Sequence, residues 1–389
     1  MSERAVILKK GRDKAVRNRH HWIFSGAVAG LPEFEPGEIL PVRSSGGELL
    51  GHAYFNARSS IIGRLLSFGG EPPLETVERN IDSALALRRS LLAGKTNACR
   101  LIHGEGDSLP GLVADQYADV LVLQIATLGM EKLKPKIVGW LAEKIKPRSI
   151  YEQSRLPSRR EEGLPDYDGW LLGEPIEEVE IGEEGLRFLV QLAGSQKTGF
   201  FLDLRAMRRL VSSLAKGRRV LNCFSYTGAF SVAALAAGAA AVDSVDASRP
   251  AMDLARRNLL LNGLPLEGNS LIIGDVFEFL RSGGASYDMI ILDPPAFAKK
   301  KADVVRACRG YKDINRLAFQ KTAPGGLLLT FSCSHFVDAG LFQQVVWEAA
   351  VEAGRRVRIL QRHRLACDHP VNIFHPESEY LKGLLLYVE

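Results

Sequence analysis

No Cys-x-x-Cys pair occurs in this chain: its five cysteines, Cys99, Cys223, Cys308, Cys333 and Cys367, are scattered and odd in number. That spacing argues against a disulfide framework and against a zinc site, so no metal is expected. It favours a reducing cytoplasm, where free thiols fill cores or stay available as nucleophiles. No apolar run is long enough to span a bilayer, and no membrane association is expected. The first 14 residues are charged and lack the apolar stretch and small-residue cleavage site of a signal peptide. The full Gly-x-Gly-x-x-Gly fingerprint is missing as well, which argues against a dinucleotide and its pyrophosphate.

What is present is ordinary globular material, 46% apolar and 24% charged over 389 residues, enough for about two to three domains. The net charge of +5 is unevenly spread. Residues 1–70 carry 10 Lys/Arg against 6 Asp/Glu, residues 71–185 carry 14 against 21, and residues 186–389 carry 26 against 18. A polyanion such as RNA would be drawn to the two ends and repelled by the middle, unless the imbalance is only scatter of surface charge.

Residues 1–70 read as short strands at 5–9, 38–43, 49–56 and 60–67, cut by Pro36-Gly37 and Gly46-Gly47. Between the first two lies Arg17-Asn18-Arg19-His20-His21-Trp22-Ile23-Phe24. Basic and aromatic residues so interleaved suit phosphate contacts and base stacking, with Arg19 and Trp22 as candidates. Trp22 and Phe24 read equally well as core aromatics of a small barrel. With Gly51-His52-Ala53-Tyr54-Phe55-Asn56 and Ile62-Gly63-Arg64, the segment resembles a PUA domain, a small RNA-binding β-barrel. After a Glu71-Pro72-Pro73 linker, Leu74, Val77, Ile81 and Leu85 give the helical period over 74–93. Strands are expected at 101–103, 111–115 and 120–126, a helix at 132–145, and strands near 177–181 and 186–192. This acidic middle domain, residues 74–190, is α+β and carries no catalytic constellation.

From about residue 194 the texture becomes alternating strand and helix. Strands are expected at 219–223, 241–245, 271–273, 289–292 and 327–331, and helices at 229–237, 249–262, 276–281 and 309–322. A late pair of strands, 357–361 and 382–388, follows. The alternation predicts an α/β fold with a doubly wound parallel sheet over 194–389. Ligands of such sheets meet the C-terminal strand ends. The first strand runs into Asn222-Cys223-Phe224-Ser225-Tyr226-Thr227-Gly228 and then an alanine-rich helix, offering a tight turn, exposed amides and small residues. Asp246, followed by Ala247 and Ser248, ends the second strand, where a carboxylate can take ribose hydroxyls or simply cap a turn. Asp275, before Val276, can cap a helix, accept from an adenine amino group, or both.

The fourth strand ends in Asp293-Pro294-Pro295-Ala296-Phe297. Two prolines make a rigid loop without amide donors, holding a carboxylate and an aromatic where a base edge and a flipped-out base could meet them. The fifth strand ends Thr330-Phe331-Ser332-Cys333-Ser334-His335, which puts Cys333 on the same edge, as a buried small hydrophobe or as a nucleophile. These motifs, with Ala307-Cys308-Arg309-Gly310-Tyr311-Lys312-Asp313-Ile314-Asn315, resemble the RlmI family of bacterial 23S ribosomal RNA cytosine-C5 methyltransferases over essentially the whole chain. The resemblance implies a PUA domain, a middle α+β domain and a class I Rossmann-like methyltransferase domain, with S-adenosyl-L-methionine as cofactor and ribosomal RNA as partner. It also covers Gln196-Lys197-Thr198-Gly199-Phe200-Phe201-Leu202-Asp203-x-Arg205, a segment that in such enzymes helps close over the cofactor.

The chemistry agrees with that implication. Cytosine C5 is a poor nucleophile, and a thiolate adding to C6 turns the ring into an enamine that can attack through C5. Cys333 and Asp293 are the candidate catalytic pair, with Pro294 and Phe297 on the substrate side. Many cytosine-C5 RNA enzymes carry a second Cys in the fourth-strand motif; Ala296-Phe297 stand there instead, so the base that removes the C5 proton is unassigned. Cys308 could approach the site but reads better as structural. Three rivals remain: amino-group methylation of a base without a covalent intermediate, a nicotinamide-dependent oxidoreductase, and a non-catalytic RNA-binding protein. Assembly is left open, a homodimer included.

Overall fold

The computed structural model describes residues 4–192, 198–282, 284 and 286–389. The chain divides into two compact units, one of Met1–Ile181, Val190–Leu202 and Cys367–Ser378, the other of Gly182–Leu189, Asp203–Ala366 and Glu379–Glu389.

The first unit opens with β1 (Val6–Leu8), β2 (Trp22–Ile23), β3 (Val28–Gly30), β4 (Ile39–Arg43), β5 (Leu49–Phe55) and β6 (Gly63–Phe68), in sheet order β2-β6-β5-β4-β1-β3. The four expected strands are there; β2 and β3, two and three residues long, are too short to show an alternation in sequence. Val6, Leu8, Leu40, Val42, Ala53, Phe55 and Leu65 form the core of this sheet. Tyr54 leaves it for the neighbouring core, where its hydroxyl bonds the Pro110 carbonyl and the Thr127 hydroxyl, both at 2.8 Å. Its ring covers Gly129, where a Cβ would lie 2.0 Å from Tyr54 Cγ, so the close approach requires glycine.

A second sheet follows: β7 (Ala98–His103), β8 (Leu112–Tyr117), β9 (Val120–Ile125), β10 (Ser149–Ser154) and β11 (Tyr167–Leu172), in order β11-β10-β9-β8-β7. Helices Pro73–Leu92 and Leu128–Ile145 cover it through Val77, Ile81, Leu85, Met130, Leu133 and Ile137. β10 was not expected, because it is polar and yet wholly buried. Its Glu152 is matched by Lys134 at 2.9 Å and by Arg159 at 3.6 Å. The expected strands near 177–181 and 186–192 are β12 (Glu178–Glu183) and β13 (Leu186–Gln191), a two-stranded sheet of their own.

The second unit holds β14 (Arg219–Cys223), β15 (Ala241–Asp246), β16 (Ser270–Ile273), β17 (Tyr287–Leu292), β18 (Thr322–Ser332), β19 (Val357–His363) and β20 (Lys382–Val388). The sheet order is β16-β15-β14-β17-β18-β20-β19, parallel through β18 and antiparallel at β20. This is the doubly wound class I arrangement expected, with the late hairpin at its edge. Val220, Leu221, Ile290, Ile291 and Leu328 are fully buried, as strands covered on both faces require. β18 starts five residues before the expected position, because the pairing skips from Tyr287–Thr322 to Met289–Leu327 across Pro324-Gly325-Gly326. Helices Arg205–Leu214 and Ala339–Glu352 were not read from sequence. No helix among the described residues is long and apolar enough to cross a membrane.

Candidate active site

The loop after β14 is built from left-handed residues. Phe224, Tyr226 and Gly228 have φ of 57°, 47° and 75°, and Gly228 leads directly into helix Ala229–Ala236. A Cβ on Gly228 would lie 2.9 Å from Ala255 Cβ, so the turn and the packing both call for glycine. The Ser225 amide donates to the Val245 carbonyl at 3.1 Å and the Ser225 hydroxyl faces Met252 Sδ at 3.3 Å. Asn258 Nδ2 donates to the Thr227 carbonyl at 2.9 Å. Asn222 Nδ2 donates to the Ser231 hydroxyl at 2.8 Å. Two buried oxygens of this loop, Asn222 Oδ1 and Thr227 Oγ1, have no hydrogen-bond partner among the described residues. Buried polar atoms normally have one, so the loop is suited to a polar ligand.

The next strand ends add carboxylates. Asp246 accepts the amides of Tyr226 (2.9 Å) and Ser248 (2.8 Å), which ties the β15 end to the β14 loop and leaves about two of its four acceptor positions open. Ser248 caps helix Arg249–Leu261 and Ala247 is exposed. Asp275 is exposed and caps helix Val276–Arg281 by accepting the Glu278 amide at 2.9 Å, while Val276 is buried. Asp243, deeper in β15, is already used by Arg219 (3.1 Å) and Tyr287 (2.9 Å).

Asp293 and Cys333 stand at the ends of the adjacent parallel strands β17 and β18, each partly exposed. The Cys333 thiol points to the Pro294 carbonyl at 3.9 Å. Ser334 is the hub of this edge: its hydroxyl accepts the Ala298 amide at 3.1 Å and meets the Tyr311 hydroxyl at 2.9 Å. It thereby ties the Asp-Pro-Pro loop to helix Val304–Lys321. Burial raises the Tyr311 pKa above the ordinary tyrosine range, so its hydroxyl stays neutral. Phe297 does not stand clear of the protein: its ring lies 4.6 Å from that of Tyr311 and 6.3 Å from that of Phe277. Cys308 packs against the core, and burial, then Glu348, raise its thiol, which suits structural filler.

The 196–205 segment is split between the units. Gln196 lies outside the described residues. Thr198 is buried and donates to Asp115 Oδ2 at 2.5 Å, while Phe200, also buried, meets the Tyr117 hydroxyl through its amide at 3.2 Å. In the second unit, Asp203 accepts the Tyr380 hydroxyl at 2.6 Å. Arg205 pairs with Glu183 at 2.9 Å.

In the first unit, Arg19 is exposed with its guanidinium 5.8 Å from the centre of the Phe68 ring. Trp22 and Phe24 are not core aromatics. Trp22 is half-buried, bonds Glu105 Oε1 at 2.9 Å and lies 4.5 Å from the His375 ring, and Phe24 is exposed. Among the described residues one group has metal-ligand spacing, His20, His375 and Glu377, with ligand atoms within 4.8 Å of one another. There the Trp22 amide donates to His20 Nδ1 at 3.2 Å, so Nε2 carries the proton and donates to Glu377 at 3.3 Å. That is a hydrogen bond, not a lone pair aimed at an ion.

Sequence reading missed Ser334 and Tyr311 as the ties of this strand edge, and Tyr380 and Lys382 beside it. Lys382 Nζ donates to the carbonyls of Ser334 (2.6 Å) and Tyr380 (2.8 Å). Ser334 and Tyr311 stand in motifs quoted above, but their contact does not show in them, and Lys382 is brought there by the register between β18 and β20, which one sequence does not show.

Comparison with known proteins gives a consistent result. Residues 100–370 match the family described as S-adenosylmethionine-dependent methyltransferase, and residues 6–68 match the PUA-like domain. The chain is 42% identical to the ribosomal RNA large subunit methyltransferase I of Photobacterium profundum, covering 99% of both chains. It is likewise 42% identical to that of Alteromonas mediterranea, covering 98% of both. Among solved structures it is similar, at 25% identity, to a SAM-dependent methyltransferase from Streptococcus mutans (TM-score 0.84, 98% of this chain and 99% of that one). A methyltransferase complexed with SAH is equally similar (25% identity, TM-score 0.85, 98% and 99% covered).

Proposed function

The chain belongs to the S-adenosylmethionine-dependent methyltransferase family that includes these large-subunit relatives, and on that premise we propose that it methylates C5 of a cytosine in 23S ribosomal RNA through a Cys333 adduct. One observation carries the covalent reading: a carboxylate and a thiol, Asp293 and Cys333, end neighbouring parallel strands next to the β14 loop. The chain divides by function into a PUA-like RNA-binding segment (1–70), a middle domain (74–190) and a catalytic domain (194–389). RNA is the macromolecular partner, the protein works in the cytoplasm, and a homodimer is the assembly to test.

Asn222, Phe224, Ser225, Tyr226, Thr227 and Gly228 would line the cofactor, with Asn222 Oδ1 and Thr227 Oγ1 open to it. Asp246, with Ala247 and Ser248, would take its ribose, and Asp275 with Val276 its adenine. Residues 196–205, with Gln196, Thr198, Phe200, Asp203 and Arg205, would close over it, and Asp293 would border it. When bound, S-adenosyl-L-methionine supplies the electrophilic methyl group. The chain's own residues do the rest. Pro294 and Phe297 border the target base, and Asp293 hydrogen-bonds its N3 or exocyclic amine. The Cys333 thiolate forms the S–C6 bond, and the C5=C6 electron pair moves toward the ring nitrogen, leaving an enamine nucleophilic at C5. Once C5 carries the methyl group its proton leaves to a base, the S–C6 electrons return to sulfur, and the double bond is restored. Arg19 and Trp22 would contact RNA outside the reacting centre.

The test is methylation of unmodified ribosomal RNA by the wild type and by Cys333→Ala, with the product base identified by mass spectrometry. We expect 5-methylcytosine from the wild type and at least a roughly 1,000-fold loss in the variant, whose cofactor affinity is unchanged. An N-methylated base, formed nearly as fast by the variant, would mean amino-group methylation instead.

A further inference from the structure

β20 runs antiparallel to β18 with Lys382 opposite Ser332 and Gly383 opposite Phe331. The register is firm at that point, because a Cβ on residue 383 would lie 2.7 Å from the Phe331 ring. Lys382 is therefore delivered to the strand end that carries Cys333. Its ammonium is tethered by the Ser334 and Tyr380 carbonyls, at 2.6 and 2.8 Å. Carbonyls orient a cation without cancelling its charge. Of the carboxylates nearby, Glu379 pairs with Arg364 at 2.7 Å, and Asp338 accepts the Leu341 amide at 2.9 Å as a helix cap, which fixes its position and leaves its charge. Lys382 itself makes no ion pair among the described residues.

We propose that Lys382 is a positioning residue that favours the thiolate of Cys333, a fixed cation whose field lowers the cost of ionising the sulfur. The inference rests on the covalent reading above. A cation held beside a thiol is a usual means by which a protein makes a reactive cysteine at neutral pH. The other ionisable groups facing this edge are Asp293 from β17, Tyr311 from its helix, and His335, Asp338 and Glu379. Arg362, His363 and Arg364 line the same pocket as Lys382; Arg364 is matched by Glu379, Arg362 donates to Gln343 at 2.8 Å, and burial lowers the His363 pKa, so Lys382 is the cation anchored by hydrogen bonds at the Cys333 strand end. Burial lowers the Lys382 pKa, and the charges of Cys333, Asp338 and Glu379 oppose that, so the pair sits close enough to interact. In the step, the thiol gives its proton to solvent, the thiolate forms the bond to C6, and Lys382 keeps its protons throughout.

The experiment measures iodoacetamide alkylation of Cys333 in the full chain against pH. The Cys333 peptide is resolved by mass spectrometry from those of the exposed Cys367 and the half-buried Cys308. Wild type is compared with Lys382→Gln, which keeps a donor for the carbonyls, Lys382→Met and Lys382→Arg; S-adenosyl-L-methionine titration confirms that each is folded. We expect the alkylation midpoint to rise by about one pH unit in the Gln and Met variants, roughly a tenfold slower reaction at pH 7, and to return in the Arg variant. A midpoint that stays put, or a rate changed by one factor at every pH, as simple loosening would give, overturns the proposal. Cys333→Ala separates the two ideas. If that variant still methylates while the midpoint moves, the covalent reading falls and the effect on the thiol stands; if it is inactive and the midpoint is fixed, only the role of Lys382 falls.

Discussion

The carboxylates of the first unit and those at the β15 and β16 ends of the second differ in what they meet. Asp115 is fully buried and gives both oxygens to Arg100 at 2.8 Å. Asp107 gives both of its oxygens to Arg88 at 2.6 and 2.7 Å. Glu162 takes Arg64 at 2.6 Å and Asn56 at 2.7 Å. In each case a cation consumes the charge inside the fold. Among the described residues Asp246 and Asp275 accept only backbone amides, and both are partly or wholly exposed. An amide shapes a carboxylate's position without neutralising it, so these groups keep charge and acceptor capacity for a ligand. Glu183 and Asp243 show that the distinction follows the partner and not the unit, since Arg208 and Arg219 consume them as well. A candidate site residue is recognised by what its charge has left to do.

Removing a cation from the first class should give the largest effect. Arg100→Met leaves Asp115 buried with the Thr198 hydroxyl as its remaining side-chain partner, and urea unfolding should show a loss of about 3–5 kcal/mol. A loss below about 1 kcal/mol would mean that the buried pair is not structural, and the contrast would collapse. The second class should respond the other way. Asp246→Asn keeps the size and one acceptor but loses the charge; calorimetry should find cofactor affinity reduced at least about tenfold, while unfolding shifts by less than about 1 kcal/mol. Unchanged affinity with a large stability loss would place Asp246 with Asp115 instead.

How much of this could be read beforehand follows the same division. The parallel strands were legible because burial on both faces leaves nearly continuous apolar runs, as in Met289-Ile290-Ile291-Leu292. The site motifs were legible because special backbone geometry needs particular residues: Gly228 at positive φ, and two prolines after Asp293. β10 was invisible because Glu152 looks solvent-exposed until Lys134 and Arg159, from other elements, are brought to it. The ties of Ser334 to Ala298 and Tyr311, and of Lys382 to Ser334, depend on which strands are neighbours, and the interruption of β18 at Pro324-Gly325-Gly326 depends on its partner's register. Phe297 was read as a ring to stack on a base, and helix Val304–Lys321 places Tyr311 against it.

The N-terminal basic stretch allows the smallest and sharpest use of the comparison, because its two arginines fall in different classes. Arg17 is consumed by Asp13 at 2.7 Å and by Glu48 at 2.5 Å, and both contacts hold its guanidinium charged. Arg19, two residues on, is exposed and held at a positive φ of 62° over the Phe68 ring; its charge acts on Glu71, but among the described residues it makes no ion pair. If RNA meets this face, phosphate should be bound by the arginine whose charge is not already matched. Arg19→Ala should therefore weaken RNA binding a few-fold and reduce the slope of log affinity against log salt by about 1. Arg17→Ala should leave the slope unchanged, since removing it releases two carboxylates along with one cation. Filter binding across roughly 50–200 mM salt would separate them. Equal slopes for both variants and the wild type would show that RNA docks elsewhere on the chain, and that charge left over inside the fold does not by itself mark the RNA-binding face.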